Sequence, residues 1–112
     1  MFFETVKNMR VRKVLMTNDD YKLIAKASDA LAHPARVAIF NYIYGENLGR
    51  RKVCNKDLVA NFEYSQSTIS QHVAKLVTGG LVEVQQEGTK NFYYANLGML
   101  GQYLNAVKKL NK

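Results

Sequence analysis

The chain has 112 residues, enough for one small domain, and 47% of them are hydrophobic, which excludes a disordered polymer. Its formal net charge is +7, from 16 basic and 9 acidic residues. A basic balance of this kind favours a polyanionic partner, nucleic acid first and an anionic membrane second. No apolar stretch is long enough for a transmembrane helix. A domain of this size buries roughly two-thirds of the surface its unfolded chain exposes, so it has a modest core and a reason to dimerise. The start, Met1-Phe2-Phe3-Glu4-Thr5-Val6-Lys7, shows no positive region followed by a sustained apolar run, so a secretory signal is not expected. With Cys54 as the single cysteine, no intramolecular disulfide can form. A reducing, cytoplasmic setting is therefore expected.

Residues 1–17 are expected to form an arm, with Lys7, Arg10, Arg12 and Lys13 set among Met9, Val11, Val14 and Leu15. Their period does not choose between a helix and an irregular strap, and residues 18–112 hold the domain. Asn18 or Asp19 suits an N-cap, and Asp19 and Asp20 suit a first turn. A first helix then runs from about Asp19 to Leu31, with Leu23, Ile24, Ala27 and Leu31 on one stripe. His33-Pro34 ends it, and Pro34 is well placed to open the next helix. Val37, Phe40, Ile43 and Tyr44 point inward on this second helix, which stops near Gly45. A loop follows in which Arg50, Arg51 and Lys52 adjoin, available to solvent or to phosphate. Asn55 or Asp57 caps a short third helix holding Leu58, Val59 and Phe62. Glu63-Tyr64 is a turn.

The fourth helix carries the most information. Ser65 caps it, and Ile69, Val73 and Leu76 fall four and three apart on an inward face. Ser67, Gln71 and Lys75 lie opposite, with Thr68 and Ser70 at the edges. That outward face is uncharged and polar apart from Lys75, and serine and glutamine carry donors and acceptors suited to base edges. A face built for solubility alone would show more Glu and Lys. Gly79-Gly80 ends the helix, glycine being the easy route into a left-handed C′ residue. Residues 81–86 and 91–97 read as strands, and Glu87-Gly88-Thr89-Lys90 as a hairpin tip that holds Lys90 outward. Phe92, Tyr93 and Tyr94 alternate across the hairpin, so at least one of its faces covers the core. A last helix from about Met99 to Leu110 aligns Leu100, Tyr103, Val107 and Leu110 at spacings of three, four and three, a seam for another helix.

The expected fold is mainly α with a small β-hairpin, in the order helix-helix-helix-helix-hairpin-helix. With its words in that order, the chain resembles winged helix-turn-helix repressors of the ArsR/SmtB family over roughly residues 19–111. The matching words are Leu31-Ala32-His33-Pro34-Ala35-Arg36-Val37-Ala38-Ile39, Lys56-Asp57-Leu58-Val59, Ser65 through Val73, Gly80-Leu81-Val82 and Phe92-Tyr93-Tyr94. The resemblance implies a homodimer that occupies an operator in double-stranded DNA and releases it when an inducer binds. The DNA contacts it implies are Ser65, Gln66, Ser67, Thr68, Ser70, Gln71, His72 and Lys75 on the fourth helix, and Lys90 on the wing. His72 sits at the edge between core and DNA faces, where a structural or phosphate role outweighs a ligand role. The implied dimer surface is Leu23 and Ala27 on the first helix with Leu100, Tyr103, Val107 and Leu110 on the last. A two-fold dimer would set two copies of the fourth helix about 34 Å apart, matching an inverted-repeat operator.

The best-known members of that family bind metal through Cys-x-Cys at the start of the third helix, or through Asp, His and Glu on the last. Here Lys56 stands in place of the second thiol, and Asn96, Gly98, Lys109 and Lys112 occupy the expected ligand positions of the last helix. A lysine ammonium has no lone pair to offer. Neither metal site nor any other cofactor is expected, and the effector is not legible. Cys54 reads as a small buried hydrophobe, and His33 as a side chain that stabilises a turn. No nucleophile-base constellation suggests an enzyme. The competing function is a winged-helix module that binds another protein and has lost DNA binding. An acidic or apolar fourth helix would favour that alternative, and the polar face with its basic balance does not.

Overall fold

A computed structural model describes residues 15–110. Most of the expected arm and Lys112 lie outside the described residues. Along the chain run α1 (Asn18–Ala30), α2 (Pro34–Leu48), β1 (Val53–Cys54), α3 (Asn55–Asn61), α4 (Gln66–Thr78), β2 (Val82–Glu87), β3 (Lys90–Ala95) and α5 (Leu97–Lys109). The helices and the hairpin are those expected, and the strand β1 is added to them.

Four of the five described helices open on a side chain that accepts from a free amide, and α3 is the exception. Thr17, rather than Asn18 or Asp19, caps α1. Its hydroxyl accepts from the Asp20 N–H at 3.1 Å, and the Asp20 carboxylate accepts from the Thr17 N–H at 2.9 Å, a reciprocal box. His33 Nδ1 accepts from the Ala35 N–H at 3.0 Å, and Pro34 fills the first position of α2, where no N–H is required. The helix α3 starts on Cys54 instead of Asn55 or Asp57, with the Asp57 carboxylate accepting from the Cys54 N–H at 2.9 Å. Ser65 caps α4 as expected, accepting from the Thr68 N–H at 3.2 Å. Asn96 caps α5 through the Met99 N–H at 3.0 Å, which starts that helix ahead of the expected Met99.

The end of α4 divides the work between its two glycines. Gly80 takes φ +81, while the Leu81 N–H reaches the Leu76 carbonyl at 3.0 Å and the Gly80 N–H reaches that of Val77 at 2.9 Å. This is the Schellman closure that needs a residue without a Cβ. Gly79 is in ordinary right-handed conformation, and its requirement is space: a Cβ there would stand 2.4 Å from the Ala30 Cβ at the end of α1.

Ile39, Ile43, Leu58, Ile69, Leu76, Leu81, Val53 and Val82 form the fully buried centre, drawn from α2, α3, α4, the link from α4 to β2, and the sheet. Phe40 and Ile43 face inward as expected, but Val37 is 48% exposed, and Ile39 is the buried residue one turn before Ile43. Val59 likewise lies at the surface. The helix α2 continues through Gly45 to Leu48 because an interior glycine costs only about 1 kcal/mol. The added turn carries Asn47, whose amide accepts from the Ala95 N–H at 2.9 Å and donates to the Arg51 carbonyl at 3.2 Å.

The sheet is antiparallel in the order β1-β3-β2. Val53 lies opposite Tyr93 and Cys54 opposite Phe92, while β2 and β3 pair from Val82–Ala95 to Glu87–Lys90. Gly88 and Thr89 alone make the turn, with Gly88 at φ +64 in the manner of a type II′ hairpin. Glu87 and Lys90, expected at the tip, are therefore the last ladder pair.

Candidate nucleic-acid interface

The helix α4 is held by Ile69, Val73 and Leu76, all buried, so the opposite stripe is presented outward. Gln66, Ser67, Ser70, Gln71 and Lys75 are exposed and Thr68 is half-buried. Ser65 is committed to its cap, and its hydroxyl also lies 3.0 Å from Thr68 Oγ1 and 3.2 Å from Ser67 Oγ. Lys75 Nζ stands 3.9 Å from the Asp29 carboxylate. Both groups are largely exposed, so a phosphate can displace this contact at little cost.

Beside this stripe, α3, α4 and the hairpin enclose an open cleft of about 350 Å³. Its walls include Lys56, Gln66, Ser70, Lys90 and Asn91, with Tyr93 beneath. The Tyr93 hydroxyl donates to Asn55 Oδ1 at 3.3 Å, which fixes the floor. Lys56 and Lys90 make no ion pair among the described residues and line the cleft from α3 and from the hairpin. The linear chain gives neither Lys56 nor Asn91 a place beside the polar stripe of α4. No local pattern marks either one, because their meeting depends on how the wing folds back onto α3.

In the adjacent Arg50-Arg51-Lys52 run, two of the three cations already have acidic partners. Arg51 makes a double contact with the Glu46 carboxylate, at 3.0 Å and 3.1 Å. Lys52 Nζ is 2.5 Å from Glu87 Oε1 and sits 5.2 Å above the centre of the Phe92 ring. Two of the three cations therefore tie the α2–α3 loop to α2 and to the wing, and raise the pKa of Arg51 and Lys52 through their acidic partners. Arg50, at φ +61, is exposed.

His72 turns away from solvent into a cluster. Its ring centre lies 4.9 Å from that of His33 and 5.6 Å from Tyr64, edge-on, and its Nδ1 is 3.4 Å from Arg36 Nη1. Burial, with His33 and Arg36 adding to it, lowers its pKa below the ordinary 6.5, so the ring is neutral at pH 7.

The residues expected at a dimer surface divide into two groups. Ala27 is fully buried within the subunit, which leaves it nothing to offer a second chain. Tyr103 packs on the subunit's own core and its hydroxyl is 3.0 Å from Ser28 Oγ on α1. Leu23 and Val107 are half-buried, Leu100 borders the core, and Leu110 is 60% exposed beyond the end of α5. The apolar residues left open on α5 itself are Leu97 and Leu104, at 47% and 48% exposure.

The family's metal positions do not fit a metal ion here. Lys56 is a solvent-facing cation, and the Cys54 thiol donates to the Asp57 carboxylate at 3.4 Å. Asn96 is spent as the cap of α5. Lys109 Nζ binds the Asp20 carboxylate at 3.1 Å and 3.3 Å, which joins α5 to α1 and, after the Thr17 backbone bond, lowers the Asp20 pKa. Among the described residues no group of three or more His, Cys, Asp or Glu side chains is placed to hold a metal, and no helix is long and apolar enough to cross a membrane.

Known proteins share both the sequence words and this geometry. The bacterial regulatory protein family called arsR matches residues 33–84, from the start of α2 into β2. The arsenical resistance operon repressor of Staphylococcus xylosus is 32% identical over 85 residues, which cover 76% of each chain. An ArsR-like transcriptional regulator from Rhodococcus sp. RHA1 superimposes with a TM-score of 0.71 at 22% identity, over 83% of each chain. The homodimeric winged helix-turn-helix DNA-binding domain from Mycobacterium bovis does so with a TM-score of 0.65 at 17% identity, over 91% of each. Sequence words, fold and relatives converge, and the chain belongs to the arsR family of bacterial regulatory proteins as a DNA-binding winged helix-turn-helix transcriptional regulator.

Proposed function

We propose that the protein is a homodimeric repressor that occupies an inverted-repeat operator and releases it on a signal other than a metal ion at the family's ligand positions. The observation that carries this reading is the exposed Ser67-Ser70-Gln71 stripe of α4 beside a cleft walled by Lys56 and Lys90. The polar stripe suits base edges, with Gln71 fitted to adenine through N6 and N7. The two lysines suit the sugar-phosphate backbone that must pass alongside, and phosphate contacts position a protein while base contacts specify its site.

A two-fold dimer would present two such stripes about 34 Å apart. Support for dimerisation comes from a stripe on α5 in which exposed Leu97 and Leu104 alternate with half-buried Leu100 and Val107 at spacings of three, four and three. This stripe lies beside the one that Tyr103 and Ala106 bury against the subunit's own core. Repression, the role named for the Staphylococcus xylosus relative, follows physically from a dimer that covers DNA needed by polymerase.

Selection of binders from a random pool of duplexes tests the reading. An inverted repeat with half-sites one helical turn apart is expected. On it, log K should fall linearly with log salt by about 0.9 for each phosphate neutralised, and Lys56→Ala should flatten that slope. A slope that stays flat in the intact protein contradicts the proposal.

A further inference from the structure

Three helices meet at Arg36. From the first turn of α2 its Nε donates to the Ala30 carbonyl at 2.7 Å and its Nη2 to the Asp29 carbonyl at 3.3 Å, both at the end of α1. Its Nη1 reaches His72 Nδ1 in the middle of α4. A guanidinium has donors only, so His72 completes the contact only with a lone pair on Nδ1, as neutral imidazole with its proton on Nε2. The groups facing that ring are His33 from the α1–α2 junction, Arg36 from α2 and Tyr64 from the turn before α4. Lys75, one turn further along α4, is turned to the Asp29 carboxylate. Among the described residues no carboxylate bonds to His72, so nothing compensates a charge placed there.

We propose that Arg36 and neutral His72 form a lock that sets α4 against the end of α1, and that protonation of His72 opens the lock and weakens operator binding. The proposal rests on the DNA-binding reading above and deepens it by naming a positioning residue and the condition under which it fails. Protonation would place an N–H against the guanidinium donors and a second positive charge beside the first. His72 shares its helical turn with Gln71, so any shift of its ring carries the base-reading face with it. The site already disfavours the charged imidazole through burial and its two basic neighbours. A group whose pKa is lowered in the native state contributes stability that is whole above its ordinary pKa and lost as pH falls through the native value. The direction is diagnostic, because a histidine that merely touched phosphate would bind DNA more tightly once charged.

The test is operator affinity between about pH 7.5 and about pH 5.5, the range in which histidine titrates, read alongside the imidazole resonances by NMR. The operator is the duplex recovered from the random pool. The intact protein should lose about tenfold or more of its affinity on acidification, one tenfold for each unit by which DNA binding lowers the His72 pKa. His72→Gln, whose amide oxygen accepts from Arg36 at any pH, should lose the pH dependence. Arg36→Met should weaken binding at the higher pH and also flatten the profile. His33→Asn, which preserves a side-chain acceptor for the α2 cap, should retain the pH dependence. Tighter binding in acid, a His72→Gln protein that still responds to pH, or a His72 ring titrating above 6.5 would each overturn the lock. Failure to bind any duplex at low salt at every pH would overturn the DNA-binding reading instead, and the NMR titration would still decide the protonation state the lock requires.

Discussion

Gly79→Ala sets helix propensity against packing, and the structure decides which wins. Gly79 has ordinary right-handed backbone angles, so alanine there should gain up to about 1 kcal/mol from propensity and from a less flexible unfolded chain. The new methyl would stand 2.4 Å from the Ala30 Cβ and 3.3 Å from the Lys26 carbonyl oxygen, against backbone and a buried methyl rather than a yielding side chain. Carbon atoms rest at about 3.5–4.0 Å, so α1 and α4 must part by about 1 Å or more. Overpacking of this kind costs about 1–3 kcal/mol. The net expectation is a loss of about 1 kcal/mol, or roughly 4–8 °C in Tm for a domain of this size. Circular dichroism melts at matched protein concentration measure it, since the proposed dimerisation would make Tm depend on concentration. Ala30→Gly provides the internal control. It is destabilising alone, but combined with Gly79→Ala it should cost less than the sum of the two, because it removes the collision. An unchanged or higher Tm for Gly79→Ala, or strict additivity of the pair, would refute the close-approach argument.

Further expectations concern binding and assembly. Gln71→Ala should reduce discrimination between operator and random duplex by about 1–3 kcal/mol, measured by competition binding, whereas equal losses on both DNAs would mark a backbone contact. Arg51→Ala should leave the salt slope of DNA binding unchanged, because its guanidinium is already engaged by Glu46; a slope shallower by about 0.9 or more would show that it reaches phosphate. If the proposed dimer forms through α5, the intact protein should sediment as a dimer at micromolar concentration and Leu104→Glu as a monomer, while Tyr103→Phe, which loses only the Ser28 contact inside the subunit, should remain dimeric. A dimeric Leu104→Glu protein would discard the α5 seam. Titration with zinc, cadmium or arsenite should leave operator affinity unchanged; stoichiometric binding that releases DNA would show a site these residues do not form.

The features legible in the linear chain are those that act within about one turn. The inward triad Ile69, Val73 and Leu76, the Ser65 cap, the Pro34 start and the double-glycine stop each depend on neighbours three or four residues away. They sufficed to place α4, the hairpin and the polar stripe. Composition added the basic balance, which a polyanionic partner requires whatever the fold.

Other features depended on residues far apart in sequence, and only packing decided them. The Val53-Cys54 strand is too short to show alternation and exists because β3 offers it a free edge. Arg51 and Lys52 look like phosphate ligands in the chain, yet Glu46 and Glu87 are folded against them. His72 sits at helical spacing beside the exposed polar stripe, but Arg36, His33 and Tyr64 draw it into a half-buried joint. The last helix shows the limit most clearly. Its two apolar stripes, Leu100-Tyr103-Val107-Leu110 and Leu97-Leu100-Leu104-Val107, are equally regular, because a helix with that many leucines satisfies two registers at once. Periodicity establishes that such a helix has apolar faces. Which face meets its own core and which stays open is settled by α1, through the Ser28–Tyr103 contact and the Asp20–Lys109 pair that hold α5 in one rotation.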